Sequence, residues 1–391
     1  MVTTTMLQPD LNRLVGWFAG YIHNPLYRLR FLKMATRFWD PAGCSSWLWT
    51  FGCILALASL AAPVSFLLLR NTFQVASMPS APRPPKPVAA PAPTERFPVV
   101  WQLVETEDSQ TYSNGLRIEN RFSVSSRPRI YVAFSIDRLR NNPGVRRSRP
   151  AGIVFHTTES QQAPFEASEN RHLKRIGESA LAYVHRNRGY NFLIDRFGRV
   201  YRIVTENQVA NHAGFSVWAD QNWLYVNLNE SFLGVSFEAE TRPGQLDTAI
   251  NPAQVHAAAM LTEMLRSKYG IPAGNCVTHG QVSVNASNMR IGYHTDWASS
   301  FPFEEVGLPN NYAEPIPAMW AFGFDADAQF LRAAGARMSA GADHARRRLQ
   351  EKAAESNVSV AVYRKLLQQS YREKLAAAQR NSGVELESSD R

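Results

Sequence analysis

The pattern of apolar and polar positions divides the chain into segments of different character. Residues 46–69 read SWLWTFGCILALASLAAPVSFLLL and contain no charged side chain. Such a run is long enough to cross a bilayer hydrocarbon layer of about 30 Å as a helix. Trp47 and Trp49 lie at one end, where aromatic side chains commonly meet the lipid headgroups. The pattern therefore predicts a transmembrane helix over 46–69.

The segments on either side of this helix predict its orientation. The 45 preceding residues are more than the charged leader of a cleaved signal peptide would need. Residues 70–98 include a proline-rich stretch, which predicts a semi-rigid extended linker. Basic residues before the span favour a cytoplasmic location for residues 1–45 and an extracytoplasmic location for the rest of the chain. These basic residues are Arg28, Arg30, Lys33 and Arg37.

Short runs with a strand-like pattern begin at residue 99. Asn114-Gly115 separates two of them and predicts a hairpin, and the turn at 196–198 predicts a second one. We expect a β-rich lead-in over 99–150, followed by the main domain over 151–320. The clearest predicted strands are VVWQLVE (99–105), RIYVAFSI (129–136), GIVFHTT (152–158) and FLGVSFEAE (232–240).

Helical spacing of apolar residues predicts helices between and after these strands. One helix is expected over 169–187, and another begins at Asn251-Pro252 and ends at Gly270. Two further helices are expected within 325–391, either on the surface or packed on the domain, so that 321–391 forms a helical C-terminal extension. Strands interspersed with helices predict an α/β fold, in which helices cover a sheet.

Composition narrows the classes of partner and of site. The formal net charge of +9 suits an acidic partner, such as an anionic wall polymer or anionic lipid. No nucleic-acid-binding motif of the zinc-finger, RNP or basic-zipper type is present, so no nucleic-acid partner is expected. Three scattered cysteines, Cys44, Cys53 and Cys276, form neither a disulfide framework nor a CxxC pair. Metal ligands would have to be histidine and carboxylate.

Candidate ligands follow two of the predicted strands and one loop. His156 lies near the end of GIVFHTT, and His279 lies at the end of CVTHG. His294 and Asp296 are two residues apart, so both face one side if the chain is extended there. A catalytic zinc needs three such ligands and one open position. Spacing alone does not choose between two histidines with Asp296 and three histidines.

One carboxylate is a candidate for proton transfer. The strand FLGVSFEAE places Ser236, Glu238 and Glu240 on the same face. Metal-assisted hydrolysis needs a group that takes a proton from water and returns it to the leaving group. Glu238 could reach a cleft and act in this way, although a glutamate at a strand end is more often simply solvated.

The motifs together resemble a known family over residues 150–305. The order of strand-His-Thr-Thr, GYNFLIDRFGRVYRI, NHAG, FLGVSFE, THGQ and HTD is similar to that of the zinc-dependent N-acetylmuramoyl-L-alanine amidases of type 2 and of the peptidoglycan recognition proteins. The resemblance implies a mixed central β-sheet flanked by helices. It also implies one Zn²⁺ ion, bound by His156, His279 and Asp296.

Further roles are carried over from the same resemblance. His294 occupies the position at which many members have a lysine that acts on the developing oxyanion. Tyr190 in GYNF would position water or substrate, and His212 in NHAG would line the groove for the glycopeptide. Asn211 and Trp297 are the other expected substrate contacts. Glu238 is the remaining catalytic candidate, because Ser236 stands where many members have a catalytic glutamate.

The resulting hypothesis is a membrane-anchored zinc amidase at the cytoplasmic (inner) membrane, with its catalytic domain on the periplasmic side. It would hydrolyse the amide bond between N-acetylmuramic acid and L-alanine in peptidoglycan or muropeptides. The alternative is a recognition module that binds peptidoglycan without cutting it. The retention of Asp296 favours catalysis, since non-cutting members of the family tend to lack the third zinc ligand.

Overall fold

A computed structural model of the chain describes residues 95–382, apart from residue 215, residues 243–246 and residue 248. The predicted cytoplasmic segment (1–45), transmembrane helix (46–69) and most of the linker (70–98) lie outside the described residues. Within the described part of the chain, no helix combines the length and the apolar character that a membrane span requires.

An eight-stranded sheet organises the main domain, in the order β1-β2-β3-β8-β7-β11-β6-β12. Its central strands β7, β11, β6 and β12 run parallel, whereas β1, β2 and β3 pair antiparallel at one edge. The predicted mixed sheet is therefore confirmed, and the predicted lead-in contributes its edge strands. The strands are β1 (Gln102–Glu105), β2 (Ser109–Tyr112), β3 (Arg117–Glu119), β6 (Gly152–Thr157), β7 (Phe192–Ile194), β8 (Val200–Arg202), β11 (Phe232–Phe237) and β12 (Cys276–Thr278).

Two smaller sheets complete the β structure of the described residues. A four-stranded sheet has the order β5-β4-β10-β9, and a two-stranded hairpin follows β12 along the chain. Both predicted hairpins are confirmed: β2 pairs with β3 around Gly115, and β7 pairs with β8 around Gly198. The strands are β4 (Tyr131–Ser135), β5 (Val145–Arg147), β9 (Val217–Ala219), β10 (Trp223–Val226), β13 (Val284–Asn285) and β14 (Arg290–Ile291).

Eight α-helices are present in the described residues. The predicted helix over 169–187 is confirmed as α1, and the predicted helix from Pro252 is confirmed as α3. The helices are α1 (Asn170–Arg186), α2 (Leu228–Ser231), α3 (Pro252–Tyr269), α4 (His279–Val282), α5 (Pro317–Trp320), α6 (Ala328–Ala334), α7 (Ala336–Glu355) and α8 (Val360–Ser382).

The prediction of two helices in the C-terminal region is wrong, because α6, α7 and α8 are three. Gly335 separates α6 from α7 with a positive φ of 86°, a conformation that residues with a side chain rarely adopt. Leu349 in α7 and Leu367 in α8 are buried in the main hydrophobic core. The extension is therefore packed into the domain rather than lying on its surface.

Local capping explains where α3 begins and ends. The side chain of Asn251 accepts a hydrogen bond from the backbone N–H of Gln254, and the Gln254 side chain accepts one from the N–H of Asn251. Pro252 at the first helical position loses no hydrogen bond there. Gly270 ends the helix in a left-handed conformation with φ of 67°. Asn251 also donates from Nδ2 to the carbonyl of Arg196 at 2.7 Å, which attaches the helix to the β7–β8 turn.

Replacing this cap should destabilise the domain in two separable steps. Asn251→Ala removes the cap, which is worth about 1 kcal/mol, and the hydrogen bond to Arg196, worth about 1 kcal/mol more. Asn251→Asp keeps the cap and loses only the second bond. Urea unfolding followed by tryptophan fluorescence measures both losses. Equal destabilisation by the two variants would contradict the assigned role of the cap.

Candidate metal centre

Two parallel strands bring two histidines together at one edge of the main sheet. β6 and β12 are neighbours, with Thr278 opposite Phe155. His156 is the next residue along β6, and His279 directly follows β12 and begins α4. Their ring centroids lie 4.4 Å apart. Both side chains therefore lie at the carboxyl ends of parallel strands, where α/β proteins commonly bind ligands.

Asp296 reaches the same edge because Gly280 allows a close backbone approach. The N–H of Gly280 donates a hydrogen bond to the carbonyl of Asp296 at 2.9 Å. A Cβ atom at position 280 would lie only 2.6 Å from the Cα atom of Ala298. Any side chain there would push the segment that carries Asp296 away from α4. Gly280 thus helps to place the carboxylate beside the two histidines.

The three predicted ligands converge through one atom each. The Nδ1 atom of His279 lies 2.8 Å from Oδ1 of Asp296, and the Nδ1 atom of His156 lies 3.2 Å from Oδ2. All three ligand atoms lie within 4.8 Å of one another. Ligand atoms around a tetrahedral zinc ion are separated by about 3.4 Å, given bonds of about 2.1 Å. The observed spacing fits such an ion.

The electrostatic state of the cluster also suits a cation. Burial lowers the pKa of His156 to about 4, and the neighbouring His279 acts in the same direction. Burial acts to raise the pKa of Asp296, but the two histidines outweigh it and hold that pKa well below its usual range. At neutral pH a neutral imidazole of His156 therefore faces an ionised carboxylate. Neutral imidazole nitrogens and carboxylate oxygens are the donors that zinc accepts.

His212 contacts one of the predicted ligands directly. Its Nδ1 atom lies 3.1 Å from Nε2 of His156, and its Nε2 atom lies 3.3 Å from the carbonyl oxygen of Phe232. Burial, followed by the proximity of the His156 ring, lowers the pKa of His212 well below its ordinary value, so that the ring is neutral. His212 was expected to line the substrate groove; its observed partners are a candidate ligand and a backbone carbonyl.

Two of the predicted catalytic residues lie beside the cluster. The ring of His294 stacks on His279, with centroids 4.6 Å apart, and its side chain is exposed. The ring centroid of Tyr190 lies 5.1 Å from that of His156. Burial raises the pKa of the Tyr190 phenol, and the nearby Asp296 adds to this effect. Tyr190 is thus a neutral O–H donor beside the cluster.

Glu238 lies apart from these residues. Its Oε2 atom accepts a hydrogen bond from the backbone N–H of Arg196, and its carboxylate faces Gly177 of α1. Burial raises the pKa of Glu238, whose side chain lines a cavity of about 530 Å³ together with Asp195 and Arg199. No contact in the described structure joins it to the three predicted ligands. Ser236 of β11 instead lies directly opposite His156 of β6 in the parallel pairing of these two strands.

The predicted substrate contact by Trp297 requires correction. Its side chain is 0% exposed and packs edge-on against Phe237 and Phe301 in the core. Its φ of 53° turns the chain sharply after Asp296, which directs the indole inward. Trp297 therefore supports the neighbouring Asp296, the third predicted ligand, from within the core, and its side chain is not accessible to a substrate. Asn211 is exposed and donates from Nδ2 to the carbonyl of Asn187, so its predicted role remains a prediction.

Two residues of the site were missed at the level of sequence. Asn229 accepts three backbone N–H hydrogen bonds, from His212, Ala213 and Gly214, at 2.7, 2.6 and 3.1 Å. Gly234 leaves the space that the ring of His212 fills. The only sequence signal for either was its position next to the NHAG and FLGVSFE motifs.

Fold and site together define a mixed α/β domain with a His-His-Asp cluster at the carboxyl edge of its parallel strands. Residues 146–296 match a family model described as N-acetylmuramoyl-L-alanine amidase. The resemblance inferred from the motifs over 150–305 is thereby confirmed for this segment of the chain. None of the curated proteins compared with the chain matches it.

Solved structures similar to the chain include amidases and a recognition protein. An N-acetylmuramoyl-L-alanine amidase from Clostridium intestinale is 23% identical, with 40% of this chain and 83% of that chain covered and a TM-score of 0.25. The amidase AmiD from E. coli, solved with an anhydromuramyl-peptide substrate, is 16% identical, with 61% and 91% covered and a TM-score of 0.34. Peptidoglycan recognition protein SD from Drosophila is 18% identical, with 36% and 79% covered and a TM-score of 0.24.

The zinc content of two alanine variants should show whether Asp296 or His294 is the third ligand. We expect Asp296→Ala to weaken zinc binding more than about 100-fold, since loss of a partner outside the ligand set already costs 10- to 100-fold. His294→Ala should bind zinc as the unchanged protein does, because its ring stacks on His279 rather than facing Asp296. Elemental analysis after dialysis measures this. The reverse result would support a set of three histidines.

Proposed function

We propose that the protein is a membrane-anchored zinc amidase that hydrolyses the amide bond between N-acetylmuramic acid and L-alanine in peptidoglycan stem peptides. The observation that carries the proposal is the convergence of His156, His279 and Asp296 within 4.8 Å. The match of residues 146–296 to the amidase family supports the choice of substrate class. The formal net charge of +9 suits an anionic wall polymer.

The three side chains would hold one zinc ion through Nδ1 of each histidine and a carboxylate oxygen. When bound, zinc lowers the pKa of a water ligand and polarises the substrate carbonyl. The carboxylate of Asp296 would offset part of the positive charge of the zinc ion. Burial of the ligands, of which Asp296 is the most exposed at 9%, keeps bulk water from competing with the substrate.

We propose that His294 acts on the oxyanion of the tetrahedral intermediate. Its exposed ring stacks on one face of the His279 ring, on the solvent-exposed side of the cluster. An imidazole N–H aimed at the carbonyl oxygen would donate a hydrogen bond that strengthens as negative charge develops. We assign it the role that lysine has at this position in many members of the family.

Tyr190 is the better candidate than Glu238 for orienting the attacking water. The phenol lies beside His156, and the Ser236 hydroxyl is near enough to counteract part of the rise in its pKa. The carboxylate of Glu238 is instead engaged by the N–H of Arg196, on the side of the sheet edge that α1 covers. We therefore propose Tyr190 as the donor that positions water and substrate.

The proposed location follows from the substrate. Peptidoglycan lies outside the cytoplasmic membrane, so the amidase domain would act on the periplasmic side. Residues 46–69 would anchor the chain, and the proline-rich stretch within 70–98 would hold the domain away from the bilayer. Nucleic acid is not proposed as a partner.

Incubating the full chain with purified muropeptides tests the function. We expect release of stem peptides that begin with a free L-alanine amine, detected by mass spectrometry. A zinc chelator should abolish the release, and added Zn²⁺ should restore it, because the bound ion would both polarise the substrate carbonyl and lower the pKa of the attacking water. Asp296→Ala serves as the matched inactive variant.

Binding of muropeptides without release of stem peptides would contradict the proposed hydrolysis. That outcome would identify the chain as a recognition module instead. A rate that is unaffected by the chelator and by Asp296→Ala would exclude the assigned metal centre even if cleavage occurred.

Tyr190→Phe and Glu238→Gln should separate the two candidate proton-handling groups. Loss of the phenolic O–H should lower kcat about 100-fold, the scale of a positioned acid or base. Glu238→Gln should change kcat by less than about threefold, because its contacts lie away from the cluster. Both variants should retain zinc. A large loss in Glu238→Gln alone would restore Glu238 as the catalytic group.

A further inference from the structure

We infer that His212 is a positioning residue that fixes the tautomer of His156, so that the Nδ1 atom of His156 presents a lone pair towards Asp296. For its consequence in metal binding, the inference rests on the proposed function. The hydrogen-bond chain itself belongs to the metal-free protein and can be tested there. The chain runs from Phe232 through His212 to His156.

The direction of these hydrogen bonds follows from the Phe232 carbonyl, which can only accept a hydrogen bond. A backbone carbonyl has no proton to give, so the 3.3 Å contact with Phe232 places the proton of His212 on Nε2. The Nδ1 atom of this neutral ring is then an acceptor. His156 must donate to it from Nε2 across 3.1 Å. The neutral His156 ring therefore has no proton on Nδ1, the atom that lies 3.2 Å from Asp296.

An unprotonated nitrogen facing a carboxylate is unfavourable unless a cation lies between them. The lone pair on Nδ1 of His156 and the ionised Asp296 repel each other at 3.2 Å. A metal ion held by His156 and Asp296 would remove this repulsion. His212 thus holds His156 in the form that suits a metal rather than in the form that would donate a hydrogen bond to Asp296.

The Phe232 carbonyl, which accepts the hydrogen bond from His212, is held rigidly. Arg129, which is 1% exposed, donates from one terminal nitrogen to the carbonyl of Phe232 at 2.8 Å. The same guanidinium donates to the backbone carbonyls of Glu206 and Gln208 at 2.8 and 3.0 Å. The Phe232 carbonyl therefore keeps its orientation while it accepts a second hydrogen bond from His212.

The loop that carries His212 is held by a single side chain. The Oδ1 atom of Asn229 accepts the backbone N–H groups of His212, Ala213 and Gly214. Three donors converging on one oxygen fix the backbone of the loop and the starting direction of the His212 side chain. This anchoring is independent of any contact that the imidazole ring itself makes.

Gly234 completes the arrangement by leaving room for the ring. A Cβ atom at position 234 would lie 2.6 Å from Cγ of His212 and 2.9 Å from its Cβ. These atoms are close to the backbone and cannot swing away cheaply. The glycine in the middle of β11 is therefore needed for the His212–His156 contact, although a glycine inside a strand weakens it.

The two histidine ligands are consequently supported in different ways. The ring of His156 is oriented through His212, whereas the Nε2 atom of His279 has no hydrogen-bond partner within the described structure. His279 is instead positioned by the start of α4 and by stacking with His294. Removal of His212 should therefore act on His156 alone.

The tautomer of His156 can be read by NMR of the metal-free full chain labelled with ¹⁵N-histidine, in which protonated and unprotonated ring nitrogens are distinguished. His156→Gln identifies the signals of His156. We expect a proton on Nε2 of His156 in the unchanged protein. In His212→Ala we expect the proton to shift towards Nδ1, where Asp296 accepts it.

Zinc affinity provides the second readout, measured by competition with a chelator. His212→Ala should bind zinc 10- to 100-fold more weakly, the effect typical of losing a partner of a ligating histidine. His212→Asn should bind within about threefold of the unchanged protein, because its amide oxygen replaces Nδ1 as an acceptor. Gly234→Ala should resemble His212→Ala, since it displaces the ring.

Controls separate this role from a general effect on folding. His256→Ala removes an exposed histidine on α3 and should change neither readout. Thermal unfolding in excess chelator should be similar for His212→Ala and His212→Asn. A proton on Nδ1 of His156 in the unchanged protein, or unaltered zinc affinity in His212→Ala, would overturn the inference. Failure of the unchanged protein to bind zinc would refute the proposed function, while the NMR result would still decide the tautomer.

Discussion

The parallel pairing of β6 with both β11 and β12 is the constraint on which the site depends. It places His156 in register with Ser236 on one side, and one residue beyond the Phe155–Thr278 pair on the other. His279 follows that pair immediately, so the two histidines meet at the sheet edge without any loop between strand and ligand. Only Asp296 is delivered by a loop, and its position depends on the close approach that Gly280 permits.

A second constraint is the accommodation of charge in a buried place. An ionised carboxylate at 9% exposure is costly unless it is compensated. Here His279 lies within hydrogen-bonding distance of one carboxylate oxygen, whereas the hydrogen bonds through His212 turn a lone pair of His156 towards the other. The arrangement therefore suits a bound cation.

Most of the elements could be predicted from sequence, because they rest on local signals, whereas the proposed ligand set of His156, His279 and Asp296 came from the resemblance in motif order. The strand containing His156 and the capped helix from Pro252 follow from periodicity and capping, and the order of motifs chose Asp296 over His294. The inward turn at Trp297 and the engagement of Glu238 by Arg196 depend on contacts between distant segments. Alternation predicts which face a side chain occupies, but the residue after a strand end is free to turn away, as Glu238 does.

The C-terminal extension is less separable from the main domain (151–320) than its composition suggested. The segment from β14 to Asp296 contacts residues that follow position 320. The N–H of Ile291 donates a hydrogen bond to the carbonyl of Asp325. Gly292 packs so closely against the ring of Phe330 that a Cβ atom at position 292 would lie 2.3 Å from that ring. Trp297 shares one continuous core with Leu349 and Leu367 of α7 and α8. Because packed cores transmit displacements rather than absorb them, the third ligand owes part of its position to these helices. The extension thus helps to position Asp296 within the candidate metal centre.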